Sequence, residues 1–262
     1  MANFNLEDFE VVKAETLSTP NSITVYGPPG KGKSVFGASI SEVPGFERTL
    51  MIDTEGSSVA VGPWYPNVDV VKAPTADIFT KICEAVLNGT FVEKESGLPY
   101  QCVIIDTLDK AQERQLDLFG ESPKRFNKQG EENVYFKWQA IKTWTSKLSD
   151  AFHQADFLTI FILHEDRDKD ETTQKVTTTV MLGGKSQQIF PSVSDMVAYF
   201  NLIQVEGDNK TKTLERAADF RPSDKLVAKQ RFAGKLDGII LDPTFEKVFR
   251  KIEPQRFENT TK

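Results

Sequence analysis

The sequence predicts an α/β protein: a mostly parallel central sheet flanked by helices, with an antiparallel C-terminal extension. Three observations predict it. Short apolar runs alternate with segments of helical periodicity, as in successive βαβ units. A glycine-rich turn, Gly27-Pro-Pro-Gly-Lys-Gly-Lys-Ser34, directly follows one such run and opens a helical segment. Residues 157–163 (Phe-Leu-Thr-Ile-Phe-Ile-Leu) are apolar enough for a strand buried on both faces.

Taken in order, residues 23–26 (Ile-Thr-Val-Tyr) read as the first strand, and a helix follows from about Lys33 to Glu42. Residues 49–52 (Thr-Leu-Met-Ile) are the second strand, and 77–87 a helix with Ile78, Ile82, Ala85 and Val86 on one side. Residues 102–105 (Cys-Val-Ile-Ile) are the third strand, and a polar loop occupies 120–130. The next helix, about 133–153, spaces Val134, Trp138, Ile141, Leu148 and Phe152 as a stripe expected to pack on the sheet. Beyond the 157–163 strand the pattern changes. Residues 176–182 and 197–205 read as strands, and 206–210 (Glu-Gly-Asp-Asn-Lys) offers a hairpin turn. No internal repeat or long low-complexity tract is visible. Residues 21–262 are therefore expected to form one domain behind an N-terminal segment, 1–20.

Composition narrows the function. A chain of 262 residues buries roughly 75% of its unfolded surface, so the core needs no covalent staples. With 27% charged and 39% hydrophobic residues, a wholly disordered chain is excluded. The longest apolar run falls far short of the ~20 residues that cross a bilayer. The first ten residues are acidic and lack a basic n-region, so neither a secretory signal nor a membrane association is expected. Cys83 and Cys102 show no metal spacing and no disulfide framework, which suits a reducing, cytoplasmic compartment. The net charge of −6 excludes a generic basic coat for nucleic acid, so any DNA contact must come from local patches. Charge is uneven: residues 1–120 hold 9 Lys+Arg against 17 Asp+Glu, and residues 121–262 hold 23 against 21. A subunit so polarised suits an anionic ligand or an acidic neighbour.

The glycine-rich turn is a full G-x-x-x-x-G-K-S. Gly27, Pro28, Pro29, Gly30, Lys31, Gly32, Lys33 and Ser34, with Val35 opening the helix, are the expected nucleotide-binding residues. The loop backbone aims N–H groups at phosphate oxygens, helped by the positive end of the helix. Lys33 is expected to reach the terminal phosphates and Ser34 to ligate Mg²⁺. These features imply ATP and Mg²⁺ as ligands. Asp106 ends the apolar strand at 102–105, the form of a Walker B carboxylate that supports the metal, usually through water. Many P-loop ATPases carry a catalytic Glu next, but here Thr107 follows. Asp53-Thr-Glu-Gly56 supplies the alternative: Glu55 lies just past a strand end, where it can polarise the attacking water. His164 ends the 157–163 strand, positioned for the γ-phosphate.

This constellation resembles the RecA family of recombination ATPases. The Asp-Thr-Glu-Gly at 53–56 is similar to the segment of eukaryotic and archaeal strand-exchange proteins whose Glu activates water. The order also matches: P-loop, Glu strand, Walker B, polar loop, helix, a strand ending in a polar sensor, a second loop. Where RecA has Gln as sensor, this chain has His164, which resembles a sub-branch of phage proteins. The P-loop, the Asp-Thr-Glu-Gly and the late Ala-Lys-Gln-Arg…Leu-Asp-Pro-Thr-Phe within 228–245 look like the phage single-strand-annealing ATPases of the Sak type. The resemblance covers roughly residues 20–250. It implies a RecA-like P-loop NTPase core, a homo-oligomeric ring or filament with 1–20 as a candidate oligomerisation arm, and single-stranded DNA held by loops at about 120–130 and 165–186. A single-strand-binding protein is a further candidate partner, and the host cytoplasm the location if the chain is phage-encoded. The K-x-R pair Lys229 and Arg231, in an extended stretch, projects both cations one way. In the family such a pair reaches the neighbour's γ-phosphate, an arginine-finger role worth ~10³–10⁵ in rate. Lys124, Arg125, Phe126 and Lys128 put three cations around one aromatic in the first loop, suited to phosphates and base stacking. Lys175 and Lys185 are the candidates in the second, beside Arg167 and Lys169, which Glu165, Asp166, Asp168, Asp170 and Glu171 dilute.

The leading expectation is an ATP-dependent single-stranded-DNA-binding recombination protein that anneals or pairs strands. Its rivals are an AAA-type mechanical ATPase (a helicase loader or packaging motor), a small-molecule kinase and a nucleotide-gated module with negligible turnover. The proline-containing P-loop suits the mechanical ATPase; the missing Walker B Glu does not. For a kinase, Arg167 and Arg216 are the nearest lid candidates, but no lid motif surrounds them.

Overall fold

Six strands pair side by side in one direction and account for the middle of the molecule. They are β1 (Ser22–Gly27), β2 (Thr49–Asp53), β3 (Asp69–Lys72), β4 (Cys102–Asp106), β5 (Leu158–Lys169) and β7 (Met196–Glu206). A computed structural model gives this arrangement. It describes residues 19–260 except 123, 125, 127–129, 132, 170, 173, 207–211 and 233. The sheet order is β10-β8-β7-β1-β5-β4-β2-β3, where β8 is Lys212–Asp219 and β10 Ile240–Leu241. β6 (Val176–Val180) adds antiparallel to β5, and β9 (Lys229–Gln230) antiparallel to β7. β8 and β10 extend the sheet antiparallel beyond β7. The expected α/β class, with its antiparallel C-terminal side, is what forms.

Period-two alternation divides the strand side chains between two cores. On one face Ile23, Val25, Met51, Ile104, Ile160 and Ile162 meet α1 (Lys33–Ala38) and α6 (Phe245–Ile252). There Phe36 stacks on Phe245, with ring centroids 4.5 Å apart. On the other face Leu50, Ile52, Val103, Ile105, Phe161 and Leu163 meet α2 (Ala76–Leu87), α3 (Leu108–Glu121) and α4 (Val134–His153). A short α5 (Ile189–Val193) precedes β7.

Several elements differ from the sequence reading. The first helix is α only over Lys33–Ala38 and tightens to 3₁₀ over Ser39–Glu42. The buried stripe of α2 is Phe79, Ile82, Cys83 and Val86, whereas Ile78 faces outward. On α4, Ile141, Leu148 and Phe152 are buried as expected, but Trp138 keeps 45% of its surface exposed, and Thr145 takes an inward position. The strand at 197–205 is parallel to β1, so the antiparallel extension starts one strand later. The expected second loop, 165–186, is largely a hairpin: β5 runs on to Lys169 and pairs Glu165 with Val180 through to Lys169 with Val176. β-branched Val176-Thr-Thr-Thr-Val180 favours that ladder despite the charges opposite. The proposed turn at 206–210 falls mainly outside the described residues, although Glu206 pairs with Lys212 across it. β3, α3 and α6 have no counterpart in the sequence reading.

Candidate nucleotide site

The P-loop springs from the C-terminal end of β1, between β5 and β7. Gly32 caps α1 at φ 98°, a conformation that favours glycine. Lys33 is buried, and its Nζ donates to the carbonyls of Gly27 at 2.9 Å and Pro28 at 2.8 Å. Burial pulls its pKa down, against the upward pull of Asp106, Asp109, Glu55 and Glu165. One ammonium thus faces four carboxylates.

Because β5 lies between β1 and β4, Asp106 and Glu55 both come to the P-loop from the far side of His164. A cavity of about 460 Å³ joins Lys33, Ser34, Glu55, Asp106, Thr107 and His164 to the loop backbone. Two slightly larger clefts, one along α3 and α4 and one beside Thr19, gather no comparable set of chemical groups. Asp106 is buried and accepts from Ser57 Oγ at 2.6 Å through Oδ2. Burial raises its pKa, while the hydroxyls of Ser57 and Ser34 lower it and the charges of Asp53 and Glu55 raise it further. Its Oδ1 is buried with no hydrogen bond of ordinary geometry among the described residues, although Ser34 lies close enough to perturb the carboxyl. An orphaned carboxylate oxygen beside a P-loop hydroxyl fits Mg²⁺, which takes few protein ligands and keeps water and phosphate for the rest. No cluster of three or more His, Cys, Asp or Glu that could hold a metal by itself occurs among the described residues.

The turn that carries Glu55 is tied at both ends. Asp53 accepts through Oδ1 from the backbone N–H groups of Glu55 (3.1 Å), Gly56 (2.6 Å) and Ser57 (3.3 Å). Its Oδ2 accepts from Ser58 N (3.3 Å) and Ser58 Oγ (2.5 Å). Thr54 bonds Asp106 O (2.8 Å) through its N–H, and its hydroxyl exchanges bonds with Thr107 O (2.7 Å) and N (2.9 Å). Glu55 itself stays partly open, 3.5 Å from Thr107 Oγ1 and 4.0 Å from His164 Nε2. His164 pairs across the sheet with Gly27 and is held by Asp109 of α3. That contact raises the His164 pKa, burial lowers it, and the charges of Asp109 and Glu55 add to the rise against Lys33.

Sequence reasoning therefore located Lys33, Ser34, Glu55, Asp106 and His164, and the structure brings all five together. Missing from it were Asp53 as anchor of the turn, Ser57 as partner of Asp106, and Asp109 as partner of His164. Asp53 stood in the motif already quoted. Asp109 stood three residues past the Walker B Asp, with no local signal of its partner.

The remaining candidates lie elsewhere. Lys229 and Arg231 sit by the start of β7, level with Ile23, at the opposite end of the sheet from their own P-loop. Lys229 Nζ donates to Ser192 O at 2.7 Å, and Arg231 pairs with Asp195 at 2.8 Å. Of the first loop, Lys124 and Phe126 are exposed, whereas Arg125 and Lys128 lie outside the described residues. Lys175 pairs with Asp224 at 3.5 Å, and Lys185 is exposed on the 3₁₀ turn Gly184–Gln188. Residues 1–18, most of the candidate arm, also lie outside the described residues. Both cysteines are free and buried. No helix among the described residues is long and apolar enough to cross a membrane.

A parallel sheet with a phosphate loop on a central strand, and a carboxylate ending the strand two places away, defines a P-loop NTPase. Residues 19–232 match the family described as an AAA domain, and the chain belongs to that family. No curated protein matches it.

Proposed function

We propose that this AAA-domain protein is a Mg²⁺-dependent ATPase that works on single-stranded DNA as an oligomer. The observation that carries the ATPase reading is the meeting of Lys33, Ser34, Glu55, Asp106 and His164 around one cavity. Lys33 and the loop N–H groups would hold the phosphates, with Ser34 and Asp106 holding the metal. When bound, the metal supplies neutralisation of phosphate charge. Glu55, partly open and close to His164, would orient a water and take its proton.

Two features support DNA as partner. Lys124 and Phe126 are exposed just past α3. Lys185 follows Gly184, where an added Cβ would lie 3.5 Å from Trp138. The two candidate segments thus flank the same end of α4. Lys229 and Arg231, remote from their own site, suit action on a neighbour's, which requires Arg231 to leave Asp195. Strand annealing and a single-strand-binding partner belong to the same reading.

The test compares ATP hydrolysis with and without single-stranded DNA, then measures DNA affinity across salt for Lys124→Ala/Arg125→Ala/Lys128→Ala. Three lost phosphate contacts should reduce the slope of log K against log salt by about 2, at ~0.7 each. An unchanged slope removes the loop from the DNA site. For the trans role, Arg231→Ala and Glu55→Gln should each be inactive alone and recover activity when mixed. A mixture that co-assembles yet stays inactive rules it out. The AAA-domain match favours one second reading, a mechanical ATPase such as a helicase loader or packaging motor. Hydrolysis stimulated by a partner protein or duplex DNA, with no strand annealing, would select it.

A further inference from the structure

Asp109 lies in the first turn of α3, two residues past the Thr107 that follows the Walker B strand. Its carboxylate spans two donors of one residue. Oδ1 accepts the backbone N–H of His164 at 3.0 Å, and Oδ2 lies 2.9 Å from Nδ1 of the same residue. An ionised carboxylate only accepts hydrogen bonds, so Nδ1 is the protonated, donating nitrogen. Holding ring and backbone at once also stops the imidazole from turning. Nε2 is left facing the other way, 4.0 Å from Glu55 Oε2, into the cavity that Lys33 and Ser34 share.

That direction matters because of the charges already there. Lys33 is the sole lysine or arginine among the described residues lining the cavity, against Glu55 and Asp106. The charged groups that act on the imidazole are Asp109 from α3, Glu55 from the turn after β2, and Lys33 from α1. Arg216 also comes to within 3.6 Å of where a Cβ on Gly32 would stand, but it is paired with Asp242 at 3.0 Å, so the terminal end of a bound triphosphate would meet few uncommitted positive groups from its own chain.

We propose that Asp109 is a positioning residue: it holds His164 so that Nε2–H is this chain's own donor to the terminal phosphoryl group. The proposal rests on the ATPase reading above. Carboxylate–imidazole pairs elsewhere fix tautomer and ring orientation in the same way. The Asp109 contact raises the His164 pKa above the ordinary imidazole value and so favours the charged ring, and it is the charged ring that carries a proton on Nε2 while Nδ1 stays bonded to the carboxylate.

The chain has 2 histidines, which makes their imidazole resonances easy to assign, and His153, bonded to Ser22 Oγ at 2.9 Å, serves as internal control. In the nucleotide-free protein Asp109→Asn should move the His164 titration to lower pH and leave His153 unmoved. Asp109→Glu should restore part of the shift. Adding a non-hydrolysable ATP analogue should move the His164 Nε2 resonance, and ADP should not. Turnover of Asp109→Asn should fall about 10- to 100-fold, less at acid pH, where the imidazole is charged without help. In a His164→Gln background the same Asp109→Asn change should cost little more, since its route of action is gone.

An unmoved His164 titration in Asp109→Asn overturns the proposal without reference to hydrolysis. So does a His164 resonance blind to the triphosphate analogue while P-loop amides respond, and so do additive losses in the double variant. If neither the P-loop amides nor His164 responds to any nucleotide, the ATPase reading itself falls, and the proposal with it.

Discussion

Asp53→Asn is the sharpest test of how the site is built. The wild-type carboxylate is buried and accepts five hydrogen bonds from the 55–58 turn. With the amide oxygen in place of Oδ1, the bonds from Glu55, Gly56 and Ser57 survive but lose their charge assistance. Going from a charged to a neutral acceptor forfeits about 1 kcal/mol each. The new NH₂ then confronts the N–H of Ser58, and one buried donor is left unpaired at about 1–3 kcal/mol. Relief of repulsion with Asp106 offsets part of this, because Asp53 is among the charges that raise the Asp106 pKa. A net loss of about 2–4 kcal/mol is expected, a large share of the 5–15 kcal/mol typical of a folded domain. Urea unfolding followed by tryptophan fluorescence measures it directly. The effect also has a pH signature. Burial pushes the Asp53 pKa up, but the Ser58 hydroxyl and the N–H groups of Gly56, Ser58 and Glu55 outweigh it, and the carboxyl ends below its ordinary value. A group whose folded pKa is depressed contributes stability above its unfolded pKa and loses it as pH falls through the folded one. The gap between wild type and Asp53→Asn should therefore close in acid. A difference under about 0.5 kcal/mol at neutral pH, or one that does not narrow in acid, refutes the anchoring role.

Three further outcomes are expected. Lys33→Ala should abolish nucleotide binding or turnover while circular dichroism stays that of the wild type, since its partners are the loop's own carbonyls; hydrolysis at the parental rate would remove the site assignment. Glu55→Gln should bind nucleotide with little change yet turn it over about 10²- to 10⁴-fold more slowly, and wild-type turnover would move the base elsewhere. Gly27→Ala should be destabilised by at least about 1–3 kcal/mol, because its Cβ would stand 1.9 Å from the carbonyl oxygen of Phe200 and either β7 or the P-loop must shift. An unchanged melting temperature would contradict that close approach.

What could be read directly from the chain is local chemistry. The P-loop is one contiguous run whose glycines, lysine and serine act through neighbouring backbone, so its spacing alone announces it. Glu55 and Asp106 were legible because Asp106 closes an apolar strand of a parallel sheet and Glu55 follows two residues past the end of another, where strand ends gather at one edge. Burial on both faces made those strands stand out as unbroken apolar runs. Helix α3 was not legible: besides Leu108 and Ala111, its buried residues are Gln112 and Gln115, so its inward face carries no hydrophobic period. Gln112 faces inward because Thr145 (2.9 Å) and the N–H of Gly183 (2.6 Å) meet it there, partners 33 and 71 residues away. The charged 165–169 stretch looked like loop because its ladder partner, β6, lies beyond an intervening turn. Asp109 and His164, 55 residues apart, meet only because β5 inserts between β1 and β4 and brings its end beneath the first turn of α3. Strand order rests on burial and loop closure summed over the whole chain, and no short window of residues contains that sum.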